Sequence, residues 1–185
     1  MVATYSISRL TGSGPTVTTV TNVRLRTDDT NTADLTNPCL IDSVLRRSYW
    51  ASVALSWTGT YSQISNIRHY SDGAIGWTMG TNGKLIRGNR DSGDIGVPTA
   101  SYQQATGTGG VTGDDLVASH AYYSGQTTKS VTLQTDTSAS PATIDSSAYT
   151  TDGKSKHIVL QVYVDTDATN GLQTAETLSF VVDEI

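Results

Sequence analysis

The alternation of apolar with small or polar residues constrains the fold of this chain more than any other feature of its sequence. In the clearest example, from position 49 to position 58, every second side chain is apolar: Tyr49, Ala51, Val53, Leu55 and Trp57. The residues between them are small or polar, except for Trp50. Because successive side chains of a strand point to opposite faces of a sheet, this spacing predicts a β-strand with one buried face.

The same period of two recurs along most of the chain. It predicts strands over residues 2–10, 17–27, 40–45, 63–70, 129–135, 156–165 and 174–183, with shorter strands at 84–87 and 99–103. The turn residues Gly59 and Thr60 predict that the strands on either side of them pair as a hairpin of one sheet. One helical turn is predicted over residues 114–120. The side chains expected in the core are Leu55, Trp57, Leu160, Val162 and Phe180.

Residues 71–125 interrupt this pattern with twelve glycines and no strong alternation. Glycine adopts positive φ in turns and weakens regular elements, so we predict a long Gly-rich loop region here. About eight to ten strands with turn signals between them are typical of an all-β fold of two packed sheets. The pattern therefore predicts one domain over residues 1–185, an antiparallel β-sandwich whose loop region spans residues 71–125.

The charge distribution argues against nucleic acid as a partner. The 12 Lys and Arg residues are scattered and are outnumbered by 17 Asp and Glu, which gives a formal net charge of −5. Binding to nucleic acid needs clustered cations that displace counterions from phosphates. No stretch approaches the roughly 20 apolar residues of a membrane span, and residues 1–6 lack the features of a signal peptide. We therefore predict no nucleic acid and no membrane as partner, and synthesis in the cytoplasm.

The residues that most often carry catalysis are few and dispersed. His69, His120 and His157 lie far apart in the sequence, and Cys39 is the only cysteine. A Ser-His-Asp site needs three converging groups, and a zinc site needs closely spaced ligands. Neither a Gly-x-Ser-x-Gly elbow nor a phosphate-binding Gly-x-x-x-x-Gly-Lys-Ser/Thr loop occurs. We expect partly exposed histidines near strand ends and a small buried Cys39, and we predict no enzyme activity and no cofactor.

Two acidic loops have a spacing that suggests calcium ligands. Asp165, Asp167 and Thr169 alternate, and Glu176 follows eleven residues after Asp165, much as in an EF-hand loop. The sixth position of that loop requires glycine but is Asn170. A second acidic loop contains Asp28, Asp29, Asn31 and Asp34. Both are more simply solvated turns in which Asp and Asn bond nearby backbone, so we predict no bound metal.

Four aromatic residues are candidates for a contact surface. Trp50 lies on the polar side of its strand, Trp77 lies in the Gly-rich region, and Tyr122 and Tyr123 lie near its end. Aromatic side chains are enriched where a surface becomes buried by a partner. The alternative is that a second layer of the same chain covers them.

Several segments share their style and order with a known class of proteins. They are residues 20–25 (VTNVRL), 27–31 (TDDTN), 48–50 (SYW), 64–73 (ISNIRHYSDG) and 174–180 (TAETLSF). Together they resemble small structural proteins found in particles of tailed viruses of bacteria and archaea. Residues 74–155 share no such likeness.

The resemblance implies a β-sandwich of jelly-roll type that decorates a capsid. Proteins of this kind often act as multimers that bridge neighbouring shell subunits, so the implied partners are the major capsid protein, other virion proteins and further copies of this chain. The implied location is the virion. No catalytic residues carry over, because the class has none to transfer.

Three other functions remain open at this stage. The chain resembles a tail or baseplate component of the same particle almost as well as a decoration protein. A carbohydrate-binding β-sandwich would use surface aromatics to stack on sugars. A glycan hydrolase would need two carboxylates about 5–10 Å apart, and the sequence singles out no such pair.

Overall fold

Antiparallel β-strands make up most of the regular structure. The computed structural model describes residues 2–185; Met1, the first residue of the domain predicted over residues 1–185, lies outside the described part. In chain order the strands are β1 (Ala3–Thr11), β2 (Thr16–Val20), β3 (Arg46–Arg47), β4 (Ala51–Gly59), β5 (Ile64–Ser71), β6 (Lys84–Gly88), β7 (Gly107–Thr108), β8 (Thr112–Gly113), β9 (Ser130–Thr132), β10 (Ala142–Asp145), β11 (Gly153–Lys154), β12 (Ile158–Val164) and β13 (Leu178–Glu184). The helical elements are the short α-helix α1 (Leu116–Ser119) and two 3-10 turns, Thr99–Ser101 and Leu133–Thr135. Among residues 2–185, no helix is long and apolar enough to cross a membrane.

The larger sheet is built around β4 and β12. Its strands lie in the order β2-β1-β4-β12-β6-β9, while β11 pairs with β4 and β3 pairs with β12. The longest pairing joins β1 to β4, from Ala3 opposite Gly59 to Leu10 opposite Ser52. Every pairing in this sheet is antiparallel. The predicted all-β, antiparallel fold class is confirmed at this level.

The smaller sheet has the order β10-β5-β13 and packs against one face of the larger sheet. Ile64 and Ile67 of β5 share a buried cluster with Trp57 of β4. Ile144 of β10 shares a second cluster with Leu160 of β12. Burial of these side chains supplies the hydrophobic contribution that holds the two sheets together.

Residues 95–125, which we call the cover segment, pack on the opposite face of the larger sheet. Val97, Leu116 and Tyr123 of this segment form a buried cluster with Ile86 of β6 and Val159 of β12. The helical turn predicted over residues 114–120 is confirmed as α1.

A buried glutamine in β12 fixes the cover segment to the sheet. Gln161 accepts a hydrogen bond from the backbone N–H of Leu116 at 2.9 Å and donates to the carbonyl oxygens of Ser48 and Asp114 at 2.7 and 2.8 Å. A buried polar side chain is stable only when its hydrogen bonds are made, so this residue both requires and specifies the position of α1.

The side of β4 that the alternation marks as polar is therefore buried. Trp50, Ser52 and Ala54 are at most 3% exposed. The prediction of a strand with one buried face is corrected here, and the alternative of a second layer from the same chain holds for Trp50, because the cover segment adds a layer that the alternation does not encode. Small residues at Ser52 and Ala54 leave room for that layer.

The predicted hairpin around Gly59 is also wrong. Strands β4 and β5 form close to the predicted places, but β4 belongs to the larger sheet and β5 to the smaller one. Gly59 has a φ of +121°, a conformation that favours glycine, and the chain after it crosses between the sheets. The partners of β5 are the distant strands β10 and β13.

Other predicted strands are shorter than expected or absent. The second strand ends at Val20 instead of continuing to residue 27, and no strand forms over residues 40–45. The segment predicted at 99–103 contains a 3-10 turn, and the one at 129–135 changes from β9 to a 3-10 turn at Leu133.

Most of the predicted core is confirmed. Leu55, Trp57, Leu160 and Val162 are buried. Phe180 is only half-buried, because β13 is an edge strand of the smaller sheet.

Candidate functional site

The four aromatic residues predicted to form a contact surface lie in two different places. Trp50, Tyr122 and Tyr123 belong to the cluster under the cover segment, whereas Trp77 packs against the cluster on the opposite face. Trp50 and Tyr123 are buried. Their polar groups are satisfied inside the protein: the indole N–H of Trp50 donates to the Gln103 carbonyl at 3.2 Å, and the Tyr123 hydroxyl donates to the Ile95 carbonyl at 3.0 Å. The same chain therefore covers these two, which have almost no surface to offer a partner.

Trp77 and Tyr122 are half-buried and keep some exposed surface. The indole N–H of Trp77 donates to the carbonyl oxygen of Thr174 at 2.5 Å. The guanidinium carbon of Arg90 lies 4.3 Å from the ring centroid of Tyr122, within cation–π distance. Their role in an interface stays a prediction, and any such interface would involve them separately.

All three histidines are buried, contrary to the expectation of partial exposure. Within residues 2–185, neither ring nitrogen of His69, His120 or His157 has a hydrogen-bond partner. His120 contacts the rings of Trp50 and Tyr123, with centroids 5.3 and 5.0 Å away. These histidines pack as aromatic rings, because the layers on both faces of the larger sheet enclose them.

Burial sets the charge of the histidines. It lowers the pKa of His120 to about 4. Burial, followed by the charges of His120, Arg9 and Lys154, lowers the pKa of His157 to about 3. For His69, burial and the charge of Arg87 lower the pKa to about 3. Each is therefore neutral at pH 7, and none is hydrogen-bonded to a carboxylate or hydroxyl that would orient it as a general base.

The acidic loop near β13 uses its carboxylates to bind another loop of the chain. Asp165 accepts hydrogen bonds from the backbone N–H and side-chain amide of Asn82 at 2.9 and 2.6 Å, and Asp167 accepts from the backbone N–H of Thr81 at 2.8 Å. Hydrogen bonds from the backbone N–H of Thr166 and from Asn82 lower the pKa of Asp165. Those from the hydroxyl and backbone N–H of Thr81 lower the pKa of Asp167. Among residues 2–185, no group of three or more His, Cys, Asp or Glu side chains is placed to hold a metal ion.

The second acidic loop is organised around a buried arginine. The guanidinium of Arg26 donates to the carboxylate of Asp28 at 3.0 and 3.1 Å and to the carbonyl oxygens of Thr32 and Asp34 at 3.1 and 2.9 Å. Asp28 and Asp34 also accept bonds from the backbone two residues further on, as expected for Asp in turns.

Asp29 does not share the Arg26 network. Its carboxylate accepts from the backbone N–H of Gly12 at 2.7 Å and lies 3.5 Å from the guanidinium of buried Arg9. Desolvation raises the pKa of Asp29, against the opposite effect of these two contacts. The four polar residues of this loop thus point to different partners and form no common ligand set.

Cys39 is half-buried and packs against the cluster between the two sheets. Burial raises the pKa of its thiol to about 12. The thiolate is the nucleophilic form of cysteine, so this side chain behaves as a small apolar residue at pH 7.

Residues 21–45, which we call the outer segment, carry an exposed apolar surface that the sequence analysis missed. Leu35, Leu40 and Val44 are 78%, 39% and 52% exposed. The segment contains no strand or helix, and Arg26 holds its backbone in place. Isolated leucines in a polar loop are the signal that was available in the sequence.

The charges of this region cancel. Residues 21–47 contain four arginines and four aspartates, whereas the whole chain has a net charge of −5. The outer segment itself, residues 21–45, holds two of these arginines and all four aspartates, a formal charge of −2 that Arg46 and Arg47 of β3 offset.

A shallow cleft lies on the cover segment. It has a volume of about 420 Å³ and is lined by Ala100, Ser101, Tyr102, Gln103, Ala121 and Tyr122; we call it the tyrosine cleft. Of these residues, sequence reasoning had singled out only Tyr122. Tyr102 was assigned to a predicted strand and was missed, because the alternation cannot show that residues 99–103 and 121–122 meet.

The outer segment and the tyrosine cleft are thus two surfaces with unused binding groups. The first offers exposed apolar side chains, and the second offers aromatic rings beside polar atoms. Comparisons of the chain with protein-family models, with curated proteins and with solved structures find no match.

Proposed function

We propose that this chain is a non-enzymatic structural protein of a virus particle, a capsid decoration protein whose partner is the major capsid protein. The proposal includes the finer fold assignment, in which the two packed antiparallel sheets form a β-sandwich of jelly-roll type. The observation that carries the proposal is the outer segment, with Leu35, Leu40 and Val44 exposed on an ordered loop.

An exposed apolar surface of this kind favours a protein partner. Burying apolar area contributes about 25 cal/mol per Å², so each of the three exposed side chains would gain from being covered by a partner. A segment already held by hydrogen bonds loses little conformational freedom on binding. The backbone N–H of Thr27 donates to the carbonyl of Asn37 at 2.9 Å, which closes the loop before any partner binds.

The likeness to virion proteins supports the same region. Two of the segments that carry it, residues 20–25 and 27–31, lie within or next to the outer segment. Counted together with Arg46 and Arg47, which follow it directly, the outer segment has no net charge, which suits an apolar contact rather than an ionic one. Many identical copies on a shell would strengthen weak individual contacts, and self-association of the chain would add to this effect.

The test is binding to purified particles of the virus that encodes the chain. A variant with Leu35, Leu40 and Val44 replaced by Ser should fail to sediment with particles that lack the native protein, while the wild-type protein binds. The control is Leu172→Ser, which changes an 89% exposed leucine in a different loop. All four side chains are exposed, so circular dichroism and melting temperature should be unchanged in both variants.

Two outcomes would change the proposal. Sedimentation of the triple Ser variant at the wild-type level would remove the outer segment as the contact surface. Quantitative mass spectrometry of native particles separates the location on the particle, because a decoration protein is present in hundreds of copies and a tail or baseplate component in few. Absence of the chain from purified particles would contradict the virion function altogether.

A further inference from the structure

We infer that the tyrosine cleft is a binding site for a neutral saccharide, a function that is independent of the outer segment and of the proposed virion contact. The cleft is formed where the 3-10 turn Thr99–Ser101 and the following residues meet the chain after α1. Its volume of about 420 Å³ falls within the range of small-molecule sites, about 300–1,000 Å³.

The cleft contains several polar groups without a protein partner. Among residues 2–185, no protein atom hydrogen-bonds to the hydroxyl groups of Ser101, Tyr102 and Tyr122, although other tyrosine hydroxyls, such as that of Tyr123, donate to the protein. Three unused hydroxyls in one cleft are the groups that bind a ligand rich in hydroxyls, since each both donates and accepts.

Gln103 adds an oriented amide. Its side-chain oxygen accepts a hydrogen bond from the backbone N–H of Ala121 at 3.1 Å. The amide nitrogen makes no bond to the protein in the described part of the chain, which leaves two donors for a ligand. The backbone of this residue is also fixed, because its carbonyl accepts from the indole N–H of Trp50 at 3.2 Å.

The two tyrosine rings supply apolar surface beside these polar groups. Tyr102 is half-buried and packs on the ring of His157, with the centroids 5.7 Å apart. Tyr122 is held by Arg90 and by an edge contact with Tyr123 at 5.4 Å. A sugar ring has an apolar face of C–H groups and a rim of hydroxyls, and tyrosine likewise combines an apolar body with a polar tip.

The charge of the lining selects against ionic ligands. The six residues that line the cleft include no Asp, Glu, Lys or Arg. The chain as a whole has a net charge of −5, which disfavours acidic sugars by long-range repulsion. A charged group does lie next to the lining, since the guanidinium carbon of Arg90 is 4.3 Å from the ring centroid of Tyr122. The match to a neutral hexose therefore rests on the six lining residues themselves and on the acidic chain as a whole.

The test uses the full chain and four neutral disaccharides: maltose, cellobiose, lactose and N,N′-diacetylchitobiose. Amide chemical shifts are recorded by NMR as each sugar is added to about 10 mM, which detects a Kd of about 1 mM. At least one sugar is expected to shift the amides of residues 100–103 and 121–122. If none does, or if the shifts fall elsewhere on the surface, the inference is overturned.

Conservative variants separate binding from folding. Tyr102→Phe and Tyr122→Phe keep both rings and remove only unused hydroxyls, and Gln103→Glu keeps the oxygen that accepts from Ala121. The double Phe variant should bind the sugar about tenfold more weakly, since two hydrogen bonds are lost. Tyr70→Phe, which changes a half-buried tyrosine of β5, is the matched control and should bind like wild type.

A decaproline peptide tests the other ligand that aromatic clefts accept. Shifts of the same amides by this peptide, with no response to any sugar, would assign the cleft to peptide binding and overturn the inference. Sugar binding by the triple Ser variant at Leu35, Leu40 and Val44 should equal that of wild type. Failure of the cleft and failure of the virion contact are thereby distinguished.

Discussion

The outer segment and the cover segment are both long stretches with few regular elements, yet different forces hold them in place. The cover segment is ordered by burial, with Leu116 and Tyr123 fully enclosed against the larger sheet. Against the buried clusters, the outer segment packs only half-buried side chains: Val23, Leu25, Cys39 and Leu45. The guanidinium of Arg26 holds the rest of its backbone, and Leu35 remains 78% exposed.

This difference shows how one chain can be folded and still keep apolar groups for a partner. A segment that folds by burying its apolar side chains keeps only partly exposed ones for a partner, such as Tyr102 and Tyr122. A segment that folds around an ion-paired arginine satisfies its backbone with polar contacts, so its leucines are free to bind elsewhere.

Removing a buried side chain from the cover segment is expected to have the largest effect on stability. Leu116 is fully buried, and Leu116→Ala should leave a cavity that the packed layers cannot fill. The free energy of unfolding should fall by about 2–5 kcal/mol, measured by urea denaturation. A loss below about 1 kcal/mol would mean that packing does not hold this segment.

Mild acid is expected to loosen the cover segment before the outer segment. His120 and His157 are neutral in the fold, where burial lowers their pKa to about 4 and about 3. Unfolded histidine binds a proton with a pKa of about 6.5, so stability falls as the pH drops from about 6.5 through the folded values. Between pH 7.5 and 5.5 the expected loss is about 1–3 kcal/mol.

The Arg26–Asp28 contact of the outer segment should respond only at lower pH. Burial alone would raise the pKa of Asp28, but hydrogen bonds from Arg26, Asn37 and Thr30 lower it to about 2. Its stabilising contribution is therefore complete above the unfolded value of about 3.8 and is lost as the pH falls through about 2. A pH titration compares the pH ranges in which the two segments loosen. Tryptophan fluorescence follows the cover segment, which packs on Trp50, and NMR signals follow the outer segment. Earlier loosening of the outer segment would refute the order, and His120→Phe should weaken the response of the cover segment.

Replacing Arg26 with Lys is expected to loosen the outer segment selectively. Lysine keeps the charge but cannot donate in the planar fork that reaches Asp28 and two carbonyl oxygens. We expect a loss of about 1–2 kcal/mol and faster hydrogen exchange at the amide of Thr27. Exchange at the amide of Leu116, bonded to Gln161, is the internal control and should be unchanged.

The smallest effect is expected for Leu35→Ala. This side chain is exposed and contributes to no buried cluster, so the free energy of unfolding should change by less than about 0.5 kcal/mol. The same urea experiment used for Leu116→Ala measures it. A loss comparable to that of Leu116→Ala would show that the outer segment also folds by burial.

Sequence patterns identified the positions of individual strands better than they identified which strands pair with each other. β1, β4, β5, β12 and β13 form near their predicted positions, because alternation is a local property of each strand. The predicted pairing of β5 with β4 was wrong, since the same alternation fits either sheet and only long-range packing decides between the two sheets.

The candidate site was harder to predict. Tyr102 and Tyr122 are separated along the chain and meet only after the cover segment folds onto the sheet. The sequence left open whether Trp50 faces a partner or a second layer of the same chain, because a single strand carries no record of a layer above it. Exposed leucines in the outer segment were visible in the sequence, but their exposure depends on Arg26 holding the loop.

Local spacing by itself determined that this chain forms β-strands, and it marked Leu55, Trp57, Leu160 and Val162 as buried. Tertiary structure alone decided which residues on the other face of a strand, or in a loop, would also be buried. Residues 23–26 show this clearly, since Val23 and Leu25 alternate with arginines as in a half-exposed strand, yet Arg26 is buried and Leu25 is only half-buried. The reason is that burial of a charged group depends on partners such as Asp28 and the carbonyl oxygens of residues 32 and 34, which only the folded loop brings together.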